Sequence, residues 1–268
     1  MVSALDGNAV VVAGATWVMR AVLRGDRGDR TFVSLARIAQ LHETAEDADG
    51  LRIGALVTHD ALAKGMSAVP EALVQAAANS ANPAIRRAAT IGGNLCAQEF
   101  RAPDLVPALI ALNATVTLVS GRGRETLPVE EFVNTRAERA PGAILTTIHV
   151  PRQVGRSAHA RALLRQAGEY PVANASVSLN LAKDGTIDTL RIAVGAVEDV
   201  PRRWHSLERA LQGQPLTASH AAGIARDHLR EFTPRDDVDA PGWYRLRVLP
   251  GLVQQLIADI ANQPQAGA

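Results

Sequence analysis

Two glycine-bearing segments have residue types and spacing suited to holding a ligand. The first is Val11-Val12-Ala13-Gly14-Ala15-Thr16-Trp17. A glycine turn leading from a strand into a helix leaves backbone N–H groups unpaired and aimed at one point. Those groups and the helix dipole together favour an anionic oxygen such as a phosphate. The second is Ala89-Thr90-Ile91-Gly92-Gly93-Asn94. Adjacent glycines permit positive φ and let a ligand come close to the backbone, and Thr90 and Asn94 place polar side chains on either side. Each segment also meets a plainer need: an ordinary strand-to-helix turn for the first, a hairpin or bulge turn for the second.

Other chemistries lack their signatures. There is no phosphate-binding loop ending in Gly-Lys-Ser/Thr, no Gly-x-Gly-x-x-Gly after a strand and no His-Glu-x-x-His. No Gly-x-Ser-x-Gly elbow supports serine hydrolase chemistry. The histidines (His42, His59, His149, His159, His205, His220 and His228) are scattered, and each reads as a surface or capping residue. Cys96 is the only cysteine, so the chain can form no internal disulfide, and no iron–sulfur or zinc site from several of its own thiolates.

The elements that must position these segments follow from periodicity. Ala9–Val12 reads as a strand, followed by a helix with Val18, Met19, Val22 and Leu23 on one face. Thr31–Leu35 and Leu51–Leu56 read as strands, and Glu43–Gly50 as an acidic turn between two halves of a domain split near residue 50. Helices are expected at His59–Lys64 and Pro70–Asn79, with Pro83–Asn94 irregular. Asp104 should cap a helix with Leu105, Ala108, Leu109 and Leu112 on one face. A hairpin turns around Gly121-Arg122-Gly123, and Ala143–Val150 is a strand. After a linker at Gln153–Ser157 come three strands, Ala160–Leu164, Val172–Leu181 and Thr189–Ala196. The middle one alternates Val172, Asn174, Ser176, Ser178 and Asn180 with Ala173, Ala175, Val177, Leu179 and Leu181. Helices are expected at Trp204–Leu211, Ala218–Arg230 and Trp243–Ala261, the last with a kink at Pro250-Gly251. The fold class is α+β, with domains at 1–152 and 158–262.

Composition narrows the function classes. The chain has 268 residues and is 47% hydrophobic, which excludes a disordered chain. Lys+Arg of 28 against Asp+Glu of 27 leaves a net charge of +1, which disfavours a nucleic-acid-binding face. No apolar run approaches the ~20 residues of a membrane span. The start lacks a basic segment followed by an apolar one, so a cytoplasmic setting is expected.

The second glycine segment carries a resemblance. Thr90-Ile91-Gly92-Gly93-Asn94 is preceded by Asn82-Pro83-Ala84-Ile85-Arg86 and followed by Asp104-Leu105-Val106-Pro107-Ala108-Leu109. This pattern resembles the flavin-binding medium subunits of molybdenum hydroxylases, the carbon monoxide dehydrogenase, xanthine dehydrogenase and aldehyde oxidase group. Ala13-Gly14-Ala15-Thr16, Val33–Ile38, Leu51–Ala55, Ile192-Ala193-Val194-Gly195 and Tyr244-Arg245 are similar to further segments of that family. Ala15 stands where the family commonly has glycine.

The resemblance implies a vanillyl-alcohol-oxidase-type FAD-binding domain, then a three-stranded antiparallel sheet with C-terminal helices. It implies non-covalent FAD, with the pyrophosphate wrapped by Val12, Ala13, Gly14, Ala15, Thr16 and Trp17 and by Ala89, Thr90, Gly92, Gly93 and Asn94. It implies Asp104 as an acid contacting the cofactor, Leu145 as an apolar lining residue and Arg165 as a cation near the flavin ring. Partner chains follow from it too: a large subunit with the molybdenum cofactor and a small [2Fe–2S] subunit, as a dimer of heterotrimers. Electrons would pass from the clusters through FAD to an external acceptor. Two other functions compete: a stand-alone flavin oxidase of the same fold, and a flavin-free structural paralogue.

Overall fold

The computed structural model describes residues 9–23, 25, 31–66, 68–139, 142–153, 155–164 and 170–263. Three sheets follow one another along the chain. Strands β1 (Ala9–Val12) and β2 (Thr31–Ser34) pair in parallel. Parallel neighbours need a crossover, and helix α1 (Val18–Leu23) supplies it. This small unit packs Val11, Ala13 and Ile38 onto Leu35, Leu41, Leu56 and Ile144.

The middle sheet is antiparallel, in the order β3-β4-β7-β5-β6. Its strands are β3 (Thr44–Glu46), β4 (Gly50–Gly54), β5 (Thr115–Ser120), β6 (Gly123–Pro128) and β7 (Ile144–Pro151). Residues 43–50, expected as a turn between domain halves, contribute β3, which pairs with β4. The helices of this region are α2 (His59–Ala63), α3 (Glu71–Asn79), α4 (Pro83–Ala88), α5 (Ile91–Cys96), α6 (Leu105–Ala111) and α7 (Val129–Thr135).

The expectation of an irregular 83–94 is corrected: two short capped helices occupy it. Asn82 accepts from the Ile85 N–H ahead of Pro83, a residue that suits the first turn of a helix. Thr90 then accepts from the Gly93 N–H. Two one-turn helices leave too little apolar periodicity to read from sequence.

The C-terminal sheet has four strands, in the order β11-β10-β9-β8, where three were expected. They are β8 (Arg156–Ala162), β9 (Ala173–Leu181), β10 (Ile187–Gly195) and β11 (Arg202–Arg203). The expected linker therefore ends sooner, since Arg156 and Ser157 already pair with Leu179 and Ser178. Helices α8 (His205–Leu211), α9 (Ala218–Asp227) and α10 (Gly242–Ala261) cover one face of this sheet. Helix α10 runs through Pro250 as one element. No described helix is long and apolar enough to cross a membrane.

The junction between the second and third sheets matters most for the site. All seven residues of α6 are buried. A helix apolar all round must be enclosed by other elements, and α6 lies between the middle core and strands β9 and β10. Helix α3 packs on β8 in the same layer. The alternation of β9 fits this arrangement. Ala173, Ala175, Val177 and Leu179 face the C-terminal helices. Asn174 and Ser176, on the opposite side, are also fully buried, Asn174 against Pro103 and Ser176 against His159 of β8.

Candidate functional site

The two glycine segments meet. A Cβ built on Gly14 would stand 1.7 Å from the Ala88 carbonyl oxygen and 3.3 Å from the Ala89 Cα. Only glycine lets the β1–α1 turn sit directly on the end of α4. The residue after it, Ala15, has φ of 57°, a left-handed conformation that costs an L residue roughly 1–2 kcal/mol. Ala15 accepts from the Met19 N–H at 3.0 Å. No hydrogen bond among the described residues takes up the backbone N–H of Gly14, Ala15, Thr16 or Trp17. That is the open donor set an anionic oxygen requires.

The second segment is stitched to residues 55–59. The Ile91 N–H reaches Val57 O at 3.0 Å, and the His59 N–H reaches Ala89 O at 2.9 Å. Thr90 Oγ1 accepts from the Gly93 N–H at 3.1 Å, and Thr90 O from the Asn94 N–H at 2.9 Å. Gly92 is anchored to residue 55. Its N–H is bonded to Ala55 O at 2.9 Å, and a Cβ there would lie 2.7 Å from that oxygen. Gly92 is glycine so that α5 can seat against Ala55. Gly93 faces a different environment, since its added Cβ would meet only Thr90 Oγ1, at 2.9 Å. Asn94 Oδ1 is buried without a hydrogen-bond partner. A buried polar atom left unpaired is costly, so it marks a place where a ligand donor fits.

Asp104 occupies the position before α6 but makes no capping hydrogen bond, which corrects the capping expectation. Its carboxylate is 5% exposed and is directed at the C-terminal domain. Oδ1 lies 3.0 Å from Arg161 Nε and 3.1 Å from Asn174 Nδ2. His159 Nε2 is 3.7 Å away. Arg161 also donates to Asn79 O, tying β8 to α3.

Two histidines read as surface or capping residues are buried near this carboxylate, at 3% for His59 and 4% for His159. Ser80 Oγ donates to Ala77 O at 2.8 Å, so it accepts from His59 Nδ1–H at 2.6 Å. That leaves the lone pair of His59 Nε2 buried and unpartnered. Burial pushes the His59 pKa down to about 4, against the opposing charge of Asp104. His59 is therefore neutral at pH 7. His159 Nδ1 pairs with Ser176 Oγ at 2.8 Å.

An aromatic cluster forms around Phe100. Trp17 stacks on Phe100 at 4.9 Å between ring centroids, and Phe100 meets Tyr170 at 5.1 Å. The Arg20 guanidinium lies 5.3 Å from the Trp17 ring and 5.5 Å from the Tyr170 ring, and it donates to the Tyr170 hydroxyl. Val12 ends β1, and Ala13 packs in the first small core. Leu145 is 5% exposed and belongs to the middle core, and its neighbour Ile144 packs with the β1–β2 unit. Arg165 lies outside the described residues. No group of three His, Cys, Asp or Glu among the described residues is placed to hold a metal.

The residues brought together are thus 13–17, 88–94 and Trp17 with Tyr170; Asp104 joins them through its charge on His59. Sequence reasoning missed His59, Arg161 and Asn174. The one available signal was the clean polar face of β9, on which Asn174 sits.

Comparison with known proteins bears on this geometry. Residues 1–153 match the family described as the FAD binding domain in molybdopterin dehydrogenase, and residues 158–260 match the CO dehydrogenase flavoprotein C-terminal domain. The xanthine dehydrogenase FAD-binding subunit of Escherichia coli O157:H7 is 28% identical over 94% of this chain and 88% of its own length. The glyceraldehyde dehydrogenase medium chain of Sulfolobus acidocaldarius is 27% identical over 86% of this chain and 83% of its own. Among solved structures, quinoline 2-oxidoreductase from Pseudomonas putida 86 shares the fold, with a TM-score of 0.87, 24% identity, and coverage of 97% of this chain and 92% of that one. The two matched regions meet at the junction occupied by Asp104 and Asn174, and this chain belongs to the family of FAD-binding subunits of the molybdenum hydroxylases.

Proposed function

We propose that this chain binds FAD non-covalently and serves as the electron-transfer subunit of a molybdenum-containing hydroxylase or dehydrogenase. The observation that carries the reading is the meeting of the two glycine segments at Gly14 and Ala88–Ala89, with the N–H groups of residues 14–17 left open and Asn94 Oδ1 unpartnered. The residues fit a ligand that has anionic oxygens at one end and hydrogen-bond donors further along.

Val12 and Ala13 deliver the first turn, and the N–H groups of Gly14, Ala15, Thr16 and Trp17 hold the pyrophosphate oxygens. Ala89, Thr90 and Gly93 bound the opposite wall, with Gly92 fixing α5 in place behind them. Asn94 accepts from a cofactor donor, and Asp104 contacts the cofactor from the junction side. Leu145 is the apolar residue that lines the flavin. Arg165 supplies positive charge near the ring system. The Trp17, Phe100 and Tyr170 rings exclude water from one flank. FAD, when bound, accepts electrons and passes them on.

Cys96 is the single thiol, so this chain cannot ligate a [2Fe–2S] cluster by itself; the family likeness supports clusters on a small partner chain and the molybdenum cofactor on a large one, in a dimer of heterotrimers. Reconstitution tests this division. Loaded with FAD, the isolated chain should take electrons from dithionite yet show no turnover of purines, aldehydes, N-heterocycles or carbon monoxide with a dye acceptor. Adding both partner subunits should restore turnover. Substrate-dependent dye reduction by the flavin chain alone would instead favour the stand-alone oxidase.

A further inference from the structure

Asn174 is fully buried, and its amide has a defined orientation. Nδ2 lies 3.2 Å from Pro103 O and 3.1 Å from Asp104 Oδ1, both acceptors. Both its hydrogens are therefore committed to two consecutive residues of the segment entering α6. The opposite atom, Oδ1, is buried without a partner. A side chain kept with one atom unsatisfied is held there by what its other atom does.

Gly195 explains how the amide fits. It stands opposite Asn174 across the β9–β10 ladder. A Cβ at 195 would lie 2.3 Å from Asn174 Oδ1 and 2.7 Å from Pro107 Cγ. The glycine leaves room at once for the amide and for α6. Two strands of the C-terminal domain thus shape a socket for the Pro103–Asp104 segment of the other domain.

We propose that Asn174, with Gly195 behind it, is a positioning residue that sets the orientation of the Asp104 carboxylate and thereby lets the C-terminal domain control flavin affinity and potential. This rests on the reading of Asp104 as a cofactor contact. A buried carboxylate offers one oxygen to a ligand only if the other is held, and Asn174 shares that holding with Arg161 on β8. The C-terminal domain then does more than cover α6: it holds the acid read here as a cofactor contact.

The test measures the FAD dissociation constant and flavin midpoint potential of the full chain. The variants are Asn174→Ala, Asn174→Ser and Gly195→Ala. The control is Ser157→Ala, which removes a different buried contact between the domains, the bond from the Ala72 N–H to Ser157 Oγ at 3.1 Å. Asn174→Ala should weaken FAD binding at least tenfold and shift the potential. Asn174→Ser, which keeps a single donor, should fall between Asn174→Ala and wild type. Gly195→Ala, which leaves Asn174 in place but displaces its amide, should also weaken binding. Ser157→Ala should stay within twofold of wild type. The proposal is overturned if the folded Asn174 variants bind FAD within twofold of wild type at an unchanged potential, or if Ser157→Ala loses as much as they do. If Asn174→Ala does not fold, Asn174→Ser and Gly195→Ala decide by the same thresholds. Failure of the wild-type chain to bind FAD would be a different result, removing the functional reading itself.

Discussion

Acid should weaken this fold through His59, by an amount that can be worked out. The imidazole is buried, its Nδ1–H is bonded to Ser80 Oγ, and Nε2 has no partner to receive an added proton. Burial lowers its pKa from 6.5 to about 4. Between those values the unfolded chain takes up a proton that the folded chain refuses, so stability falls as pH falls. The contribution is fully present above pH 6.5 and is lost through the window down to about pH 4. Each pH unit for one proton is worth about 1.4 kcal/mol, so acidification to about pH 4.5 should cost roughly 2–3 kcal/mol. Urea unfolding of wild type and His59→Gln, followed by far-UV circular dichroism from about pH 7.5 to about pH 4.5, isolates the effect. The variant should be less stable near neutrality and should close the gap with wild type by roughly that amount as pH drops. A stability difference that stays constant with pH would refute the buried, neutral imidazole.

Three further outcomes are expected. Ala15 sits at φ of 57°, so Ala15→Gly should be neutral or raise Tm, while Ala15→Val, β-branched in the same conformation, should lower stability by roughly 1–2 kcal/mol; thermal unfolding reads both. Gly14→Ala and Gly92→Ala push a Cβ into backbone carbonyls of Ala88 and Ala55 respectively and should each cost about 1–3 kcal/mol in chemical unfolding, with Gly14→Ala also losing FAD because the two glycine segments separate. Covalent flavin would need a His or Cys at the turns. Residues 13–17 carry neither, so acid precipitation should release the yellow colour into the supernatant; colour retained in the pellet would contradict this.

Much of the fold was legible because its elements are long enough to show a period. The β9–β10 hairpin follows from strict alternation and the Asp184-Gly185 turn, where Gly185 adopts φ of 84°. Helix α6 follows from its apolar run. Three short elements were not legible: α4 and α5 have six residues each, and β11 has two. The glycine segments stood out, but composition does not say which side of a glycine needs the space. Gly14 is vacant for Ala88 and Gly92 for Ala55, and both facts depend on distant backbone. The polar face of β9 was visible as a pattern, whereas its burial against Asp104 was not. Alternation reports that two faces differ; it does not report what covers them. His59 and His159 were passed over for the same reason, since their partners Ser80 and Ser176 stand 21 and 17 positions away in the chain.

Flavin content tests the central claim most directly. The chain, purified after expression with its partner subunits and then separated from them, should show a flavin absorbance spectrum and close to one FAD per chain. Iron and molybdenum should remain with the partners. A folded chain without flavin that also fails to take up added FAD would contradict the claim and leave the structural paralogue as the better description.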